Sequence, residues 1–374
     1  MKNFKSGYYV DQGYYKSFQP ESLNHQMQID DMELLVLLSE ADRLVGKLDM
    51  FSKYVPNIDL FISMHVAKEA TLSSRIEGTR TNIDETLLER NDLPMEQQND
   101  WEEVQNYIKA INWSVLELEK LPFSSRLIRE THKILLQGVR GQTKQPGEFR
   151  KSQNWIGGAN IQTAIFVPPV HTSVPELMGD LEKYLYNEKF YFPELLKIGI
   201  AHYQFETIHP FLDGNGRIGR LMIPLYLVNK GILTQPILYL SDFLEKNRMS
   251  YYERLNSVRK DNDIGRWLKF FLIGVIETVK LGIATFNNIL QLQIKIEKNI
   301  QTLGSRANNA KILVDYLYDK PIIDAEKVHK LLNISMPSAY KLISDFEKLD
   351  ILREITGSQR GRKYIFENYV QLFR

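Results

Sequence analysis

Twelve residues near the middle of the chain, His209-Pro-Phe-Leu-Asp-Gly-Asn-Gly-Arg-Ile-Gly-Arg220, combine the side-chain types that handle phosphate. A helix delivers His209, and Pro210 stops that helix because proline has no N–H and clashes with the preceding turn. Asp213 follows in a loop. Gly214 and Gly216 flank Asn215 and leave the backbone open to close approach. A second helix then starts, with Arg217 and Arg220 at i and i+3 on one face of its first turn. The free N–H groups and dipole of a helix start form an anion site. Arginines there are disfavoured by the dipole unless a polyanion answers them. Asp213 suits Mg²⁺, which takes one or two carboxylates together with substrate phosphates. His209 can take up a proton near neutral pH.

The elements that position these residues are mostly helical. Apolar residues recur at three- and four-residue spacing in Met32–Leu48, Leu60–Ile76, Trp101–Leu118, Ser124–Val139, Val174–Tyr186, Glu194–Ile208, Arg217–Lys230, Tyr251–Val258 and Ile264 to about Leu303. Asn82 and Glu85 have capping-box spacing, and Pro193 stands at a helix start. Gly147–Val170 breaks the pattern: Gly157-Gly158 between two β-prone runs predicts a hairpin or flap. A second unit begins after Gly304, with Ser305–Asn309 as linker. Three short helical patterns (Ala310–Tyr318, Ala325–Leu332, Met336–Leu349) precede two β-prone runs, Ile351–Thr356 and Lys363–Glu367. Ser335 and Pro337 make a strong helix start. Three helices and a hairpin are the winged helix-turn-helix order.

Composition narrows the chemistry. The 374 residues predict two or three domains, and the hydrophobic (43%) and charged (25%) fractions are ordinary for a globular protein. A net charge of +1 excludes any reading built on global charge. With no cysteine, disulfides, Cys–zinc sites, Fe–S clusters and thiol catalysis are excluded, which suits a reducing cytoplasm. Met1–Gln19 is polar and Tyr-rich, unlike a secretory signal. The most apolar window, Trp267–Val279, is too short to span a bilayer. A soluble, cytoplasmic protein with no membrane partner is expected.

The stretch His209–Arg220 resembles the signature of the Fic (Fic/Doc) family at every specified position. The resemblance implies a mostly α fold, a Fic-type helical core with a small β-hairpin flap, and transfer of AMP from ATP to a Ser, Thr or Tyr hydroxyl of a target protein, with self-modification. It implies His209 as the general base and Asp213 as the Mg²⁺ (or Mn²⁺) ligand. Asn215 and the amides of Gly214 and Gly216 would hold the α-phosphate region, and Arg217 and Arg220 would clamp the β- and γ-phosphates. Pro146–Arg150 and Trp155–Pro169 look like the family's flap, on which a target docks as an added strand; Ile156 and Gly157 are its residues toward ATP. Tyr239–Asn247 and Tyr251-Tyr252 resemble the region where relatives place adenine, with Lys246 as its candidate. Ser73-Ser-Arg-Ile-Glu-Gly78 matches the family's inhibitory pattern through Ser73, Glu77 and Gly78, which implies that Glu77 pairs with Arg220 and lowers activity. Asn57–Lys68 resembles the family's N-terminal helical module. The expected domains are 1–100, an N-terminal module carrying the inhibitory motif; 101–304, the catalytic domain; and 305–374, a winged helix. A homodimer accompanies the resemblance.

Other readings compete. His202, Glu206 and His209 fall at i, i+4 and i+7, as in a metal hydrolase, but the spacing is not His-Glu-x-x-His, and a packed His202 fits better. The 305–374 unit carries 12 Lys/Arg against 9 Asp/Glu, and Arg360, Arg362 and Lys363 lie in its wing. DNA binding is therefore an alternative, although Pro337, Ser338, Tyr340, Lys341 and Ser344 offer few base-reading groups; protein binding is left open beside it. A Fic fold transferring another phosphate-linked group, or removing AMP, is also compatible with the motif.

Overall fold

The computed structural model describes residues 1–54 and 58–374. The chain opens with a hairpin, β1 (Gly7–Asp11) and β2 (Lys16–Pro20), paired antiparallel from Gly7 with Pro20 to Asp11 with Lys16. Its turn is closed by Asp11 Oδ1, which accepts the Gly13 N–H at 2.7 Å. No strand is expected here from the sequence, because Tyr8, Tyr9 and Val10 run consecutively and give no period-two alternation. Helices follow: α1 (Met32–Tyr54), α2 (Ile58–Ile76), α3 (Ile83–Leu87), α4 (Met95–Glu117), α5 (Ser125–Leu135), α6 (Val174–Tyr186), α7 (Glu194–Ile208), α8 (Asn215–Asn229), α9 (Ser241–Lys246), α10 (Arg248–Asp261) and the long α11 (Ile264–Gln301). The Asn82–Glu85 capping box opens α3, with both reciprocal bonds at 2.9 Å. Residue 100, the expected edge of an N-terminal module, lies inside α4, whose helix runs on to Glu117. Of the expected Asn57–Lys68 segment, Asn57 lies outside the described residues.

At the centre stand α7 and α8. Residues 195–208 of α7 are all buried, so its sequence shows no polar face. Neighbouring helices fit closely around it: a Cβ on Gly199 would meet Phe271 of α11 at 3.0 Å, and Trp267 donates its indole N–H to the Gly199 carbonyl at 2.8 Å.

The 147–170 stretch is not a regular hairpin. Its β-prone runs meet in one antiparallel bridge, Ile156 with Phe166, and Ile161–Thr163 forms a 3-10 turn. Gly158, at φ +74°, cannot carry a side chain, because a Cβ would lie 2.2 Å from the Thr163 carbonyl oxygen. Instead of building a ladder of its own, the stretch leans on the N-terminal hairpin: Phe18 N donates to the Val167 carbonyl at 2.9 Å.

The C-terminal residues fold as α12 (Ala307–Asp319), β3 (Ile322–Asp324), α13 (Ala325–Leu332), α14 (Met336–Lys348), β4 (Arg353–Glu354), β5 (Lys363–Ile365) and α15 (Glu367–Val370). Strand order is β3-β5-β4, and β3 was not foreseen. Ser335 caps α14 and Pro337 stands in its first turn. This unit packs on α2: Phe61 meets Tyr318 at 5.2 Å and Tyr369 at 6.4 Å between ring centroids, and His65 meets Phe373 at 5.0 Å. Among the described residues, no helix is long and apolar enough to cross a membrane.

Candidate active site

The loop between α7 and α8 is shaped by its own residues. His209 ends α7 in the left-handed region, at φ 49°, with its N–H bonded to the Phe205 carbonyl. Asn215 closes the turn: its Oδ1 accepts the Phe211 N–H and its Nδ2 donates to the Phe211 carbonyl, both at 2.8 Å. The Asn215 side chain is therefore committed to the loop, and what the loop presents is backbone. Gly214, at φ 77°, precedes α8. The first-turn amides of Asn215, Gly216 and Arg217 lack intrahelical acceptors. The Gly214 N–H is taken by Asp213 Oδ1 at 2.6 Å.

Buried neighbours that sequence reading passed over hold this loop. His132 stacks on Phe211 at 3.8 Å. Its Nδ1 accepts the Gly147 N–H at 2.8 Å, so its Nε2 carries the proton and donates to the Asp213 carbonyl at 2.9 Å. Arg150, 2% exposed, donates to the carbonyls of His209 (3.0 Å), Ile208 (3.3 Å) and Pro169 (2.5 Å). Asn154 adds bonds to the carbonyls of His209 and Phe211. A flap arginine thus ties the 147–170 stretch to the end of α7. Arg259 of α10 extends this support. It bonds the Glu206 carbonyl and Thr207, and its guanidinium lies 3.8 Å from the Phe166 ring centroid.

The two arginines of the motif are already occupied. Arg217 Nη1 meets the buried Glu103 at 3.0 Å and its Nη2 meets Asp213 Oδ1 at 3.4 Å. Arg220 is buried; its Nε donates to Ser73 Oγ at 2.8 Å, and its Nη2 donates to the Ser73 carbonyl at 2.9 Å and to Glu77 Oε1 at 2.7 Å. Ser73 and Glu77 lie one turn apart along the end of α2, and Gly78 follows at φ 107°. Glu77 also covers the start of α8, since a Cβ placed on Gly216 would lie 2.2 Å from its Oε1. Burial alone would raise the Glu77 pKa, but Arg220 overcomes this and holds it below the usual carboxylate range. The pair raises the Arg220 pKa in turn, against its own burial.

His209 is depressed to about 4, by burial first and then by Arg259 and Arg150, so the ring is neutral at neutral pH. Its Nδ1 is buried with no hydrogen-bond partner among the described residues, 3.9 Å from Glu206 Oε2. Glu206 is pushed up to about 7, mainly by burial. Glu206 interrupts an otherwise apolar helix, a signal visible in the sequence, whereas Glu103 sits in a polar stretch of α4 that gives none.

One expectation changes. His202 is fully buried, bonded through Nδ1 to the Gly219 carbonyl and through Nε2 to the Tyr251 hydroxyl, both at 2.8 Å. Both ring nitrogens are used in packing, which removes the metal-hydrolase reading. Lys246 pairs with Asp242 at 2.8 Å and, with Tyr239 and Asn247, lines a cavity of about 250 Å³ between α2, α9 and α11. Tyr251 and Tyr252 both feel the charges of Glu77 and Arg220.

Asp213 fits a hard cation in part. Its side chain is about one-third exposed, and its Oδ2 has no hydrogen bond among the described residues. No cluster of three or more His, Cys, Asp or Glu side chains surrounds it among those residues, so phosphate oxygens and water would have to complete the shell.

Comparison with known proteins agrees with this geometry. The profile described as Fic/DOC family N-terminal matches residues 35–115, and that described as Fic/DOC family matches residues 122–227, together half of the chain. A probable protein adenylyltransferase of Aquifex aeolicus is 27% identical over 249 residues, 63% of this chain and 72% of that protein. Protein adenylyltransferase Fic of Aedes aegypti is 33% identical over 144 residues, 38% of this chain but 26% of that protein. The crystal structure of a Fic family protein from Desulfovibrio desulfuricans matches with a TM-score of 0.59 at 18% identity, covering 91% of this chain and 98% of that one. With the motif at the α7–α8 junction and both profiles in register around it, the chain belongs to the Fic/DOC family.

Proposed function

We propose that this chain is a protein adenylyltransferase, moving AMP from ATP to a hydroxyl side chain of a target protein and of itself, and that the arrangement described is its inhibited state. The single observation that carries this reading is the Glu77 carboxylate, seated at the start of α8 on Arg220, where a helix N-terminus and a buried arginine would otherwise meet a phosphate.

The residues divide the work as follows. The first-turn amides of α8 receive phosphate oxygens, with Gly216 leaving room for them. Once free of Glu77, Arg220 holds the terminal phosphates, and Arg217, propped by Glu103, supports Asp213. Asp213 would hold Mg²⁺ or Mn²⁺, which supplies charge neutralisation of the triphosphate when bound. Tyr252, together with Ile156 and Gly157 of the flap, borders the nucleoside end. His209 is neutral and has its outer ring nitrogen open. It takes the proton of the incoming hydroxyl as that oxygen bonds to the α-phosphorus and the bond to the β-phosphate oxygen breaks, releasing pyrophosphate. Positioning and charge neutralisation suffice for such a transfer. The target lies along the 155–169 stretch. Mass spectrometry of Glu77→Gly protein incubated with Mg-ATP tests this: an added adenylyl group that His209→Ala abolishes is expected, and an added phosphoryl group overturns it.

The helix–strand–helix–helix–strand–strand order of residues 305–374 supports a winged-helix reading of that unit. DNA is the weaker partner for it. Lys363 is ion-paired with Asp92 and Lys327 with Glu89, leaving Arg360 and Arg362 as the wing cations without an ion pair among the described residues. A salt-dependent gel shift with the full chain decides between DNA and protein.

A further inference from the structure

Two buried polar atoms beside the reacting centre make no hydrogen bond of full geometry among the described residues: His209 Nδ1, which also feels the Glu206 main-chain carbonyl, and Glu206 Oε1. Such atoms are costly in a folded protein and call for an explanation. They belong to neighbouring side chains, with Nδ1 3.9 Å from the other carboxyl oxygen of Glu206. Catalytic hydrogen bonds are often long before substrate binds and tighten afterwards. We propose that Glu206 is the positioning residue of His209, its carboxylate taking the Nδ1–H and thereby leaving Nε2 unprotonated toward the hydroxyl. This rests on the reading of His209 as base.

Glu206 is placed rigidly enough for that role. It lies one turn before His209 on α7 and is 6% exposed. A Cβ on Gly219 would lie 2.2 Å from its Oε1, so the glycine of α8 opens the slot in which the carboxyl sits. Its main-chain carbonyl is fixed by Arg259 at 3.2 Å. The ring has one open face: Nδ1 is buried, while a fifth of the side chain, including Nε2, reaches solvent. A base working through Nε2 must carry its proton on Nδ1, and a histidine without an acceptor there has no reason to choose that tautomer. The carboxyl also sits among charged and titratable groups from each packed element. Glu77 of α2 raises its pKa, Arg220 of α8 and Arg259 of α10 lower it, and Tyr251 of α10 faces it, while Arg150 acts on His209 from the flap side.

The test uses full-length protein labelled with ¹⁵N-histidine, with the His209 signals assigned by their loss in His209→Gln. At pH 8 the native protein is expected to show His209 protonated on Nδ1, and Glu206→Leu to shift it toward Nε2–H. Glu206→Gln, whose amide oxygen still accepts, should keep the tautomer and guards against a misfolded leucine variant. In the Glu77→Gly background, Glu206→Leu should lower kcat about 10- to 100-fold, as a misplaced catalytic group does, with KM for ATP unchanged. Glu206→Gln should stay within a few-fold but lose the rise in rate through pH 7. An unchanged tautomer in Glu206→Leu overturns the proposal and assigns the Nδ1 proton to the Glu206 main-chain carbonyl. The nuclear magnetic resonance readout needs no turnover, so absence of any labelling by Glu77→Gly would defeat the adenylyl-transfer reading without touching this one.

Discussion

Glu77→Gly removes one carboxylate and changes two properties in opposite directions. Two unit charges 4 Å apart at an effective dielectric of about 20 attract by about 4 kcal/mol. The Glu77 side chain is 32% exposed, and solvent takes back part of that. A charge-assisted hydrogen bond contributes about 1.5–3 kcal/mol net, so about 2 kcal/mol is a fair figure for what a nucleotide must overcome to take Arg220. That corresponds to roughly 30-fold in apparent affinity. Glu77→Gly should therefore bind Mg-ATP about 30-fold more tightly by calorimetric titration. The same change leaves the buried Arg220 charge with its hydrogen bonds to Ser73 but without its paired carboxylate. Without nucleotide the variant should be less stable by about 2 kcal/mol, melting a few degrees lower. Saturating Mg-ATP should reverse that order, raising its melting temperature more than the wild type's. Equal affinity and equal melting temperature would show that Glu77 neither blocks the phosphate site nor compensates Arg220.

His209→Ala is expected to abolish transfer while ATP affinity stays within about twofold, because the ring acts on the hydroxyl; lost binding in calorimetry would make its role structural. Asp213→Ala should slow transfer and raise the Mg²⁺ concentration needed for half-maximal rate, and undiminished activity in EDTA would contradict this. Gly219→Ala drives a methyl into the Glu206 carboxyl, and chemical denaturation should show a loss of about 1–3 kcal/mol. Glu206 keeps its proton up to about pH 7 when folded and releases it near the ordinary carboxylate value when unfolded. Its contribution is therefore present in acid and lost as pH rises toward 7, on the order of 3 kcal/mol. Stability should fall over that window, and the fall should be smaller in Glu206→Gln.

What the sequence made legible follows from how local each feature is. The His209–Arg220 loop is a contiguous code of helix stop, glycines and helix start, so its conformation could be read directly. Ser73 and Glu77 are more than 130 residues from Arg220 in the chain, and only the family pattern linked them; the structure joins them at 2.7–2.9 Å. Glu69, Glu103 and Arg259 were missed, and Arg150 was read only as part of the flap, because a buried charge is identified by partners that lie far away in sequence. Glu69, for example, is buried against Ser241 and Tyr107. The 147–170 stretch misled for the same reason: its support comes from Phe18, Arg150 and Arg259, which no local pattern reveals. Lys246 was named by the family pattern alone, and the structure places it with Tyr239 and Asn247 on one cavity wall.

Which phosphate is transferred, and whether Glu77 holds the transfer back, can be measured in one labelling experiment. Wild type, Glu77→Gly and the Glu77→Gly, His209→Ala double variant should each be incubated with Mg²⁺ and ATP labelled on either the α- or the γ-phosphate. The expected result is strong protein labelling by α-labelled ATP in Glu77→Gly, weak labelling in wild type, none in the double variant, and none from γ-labelled ATP in any of them. Labelling from the γ-position, or equal α-labelling of wild type and Glu77→Gly, would contradict the account.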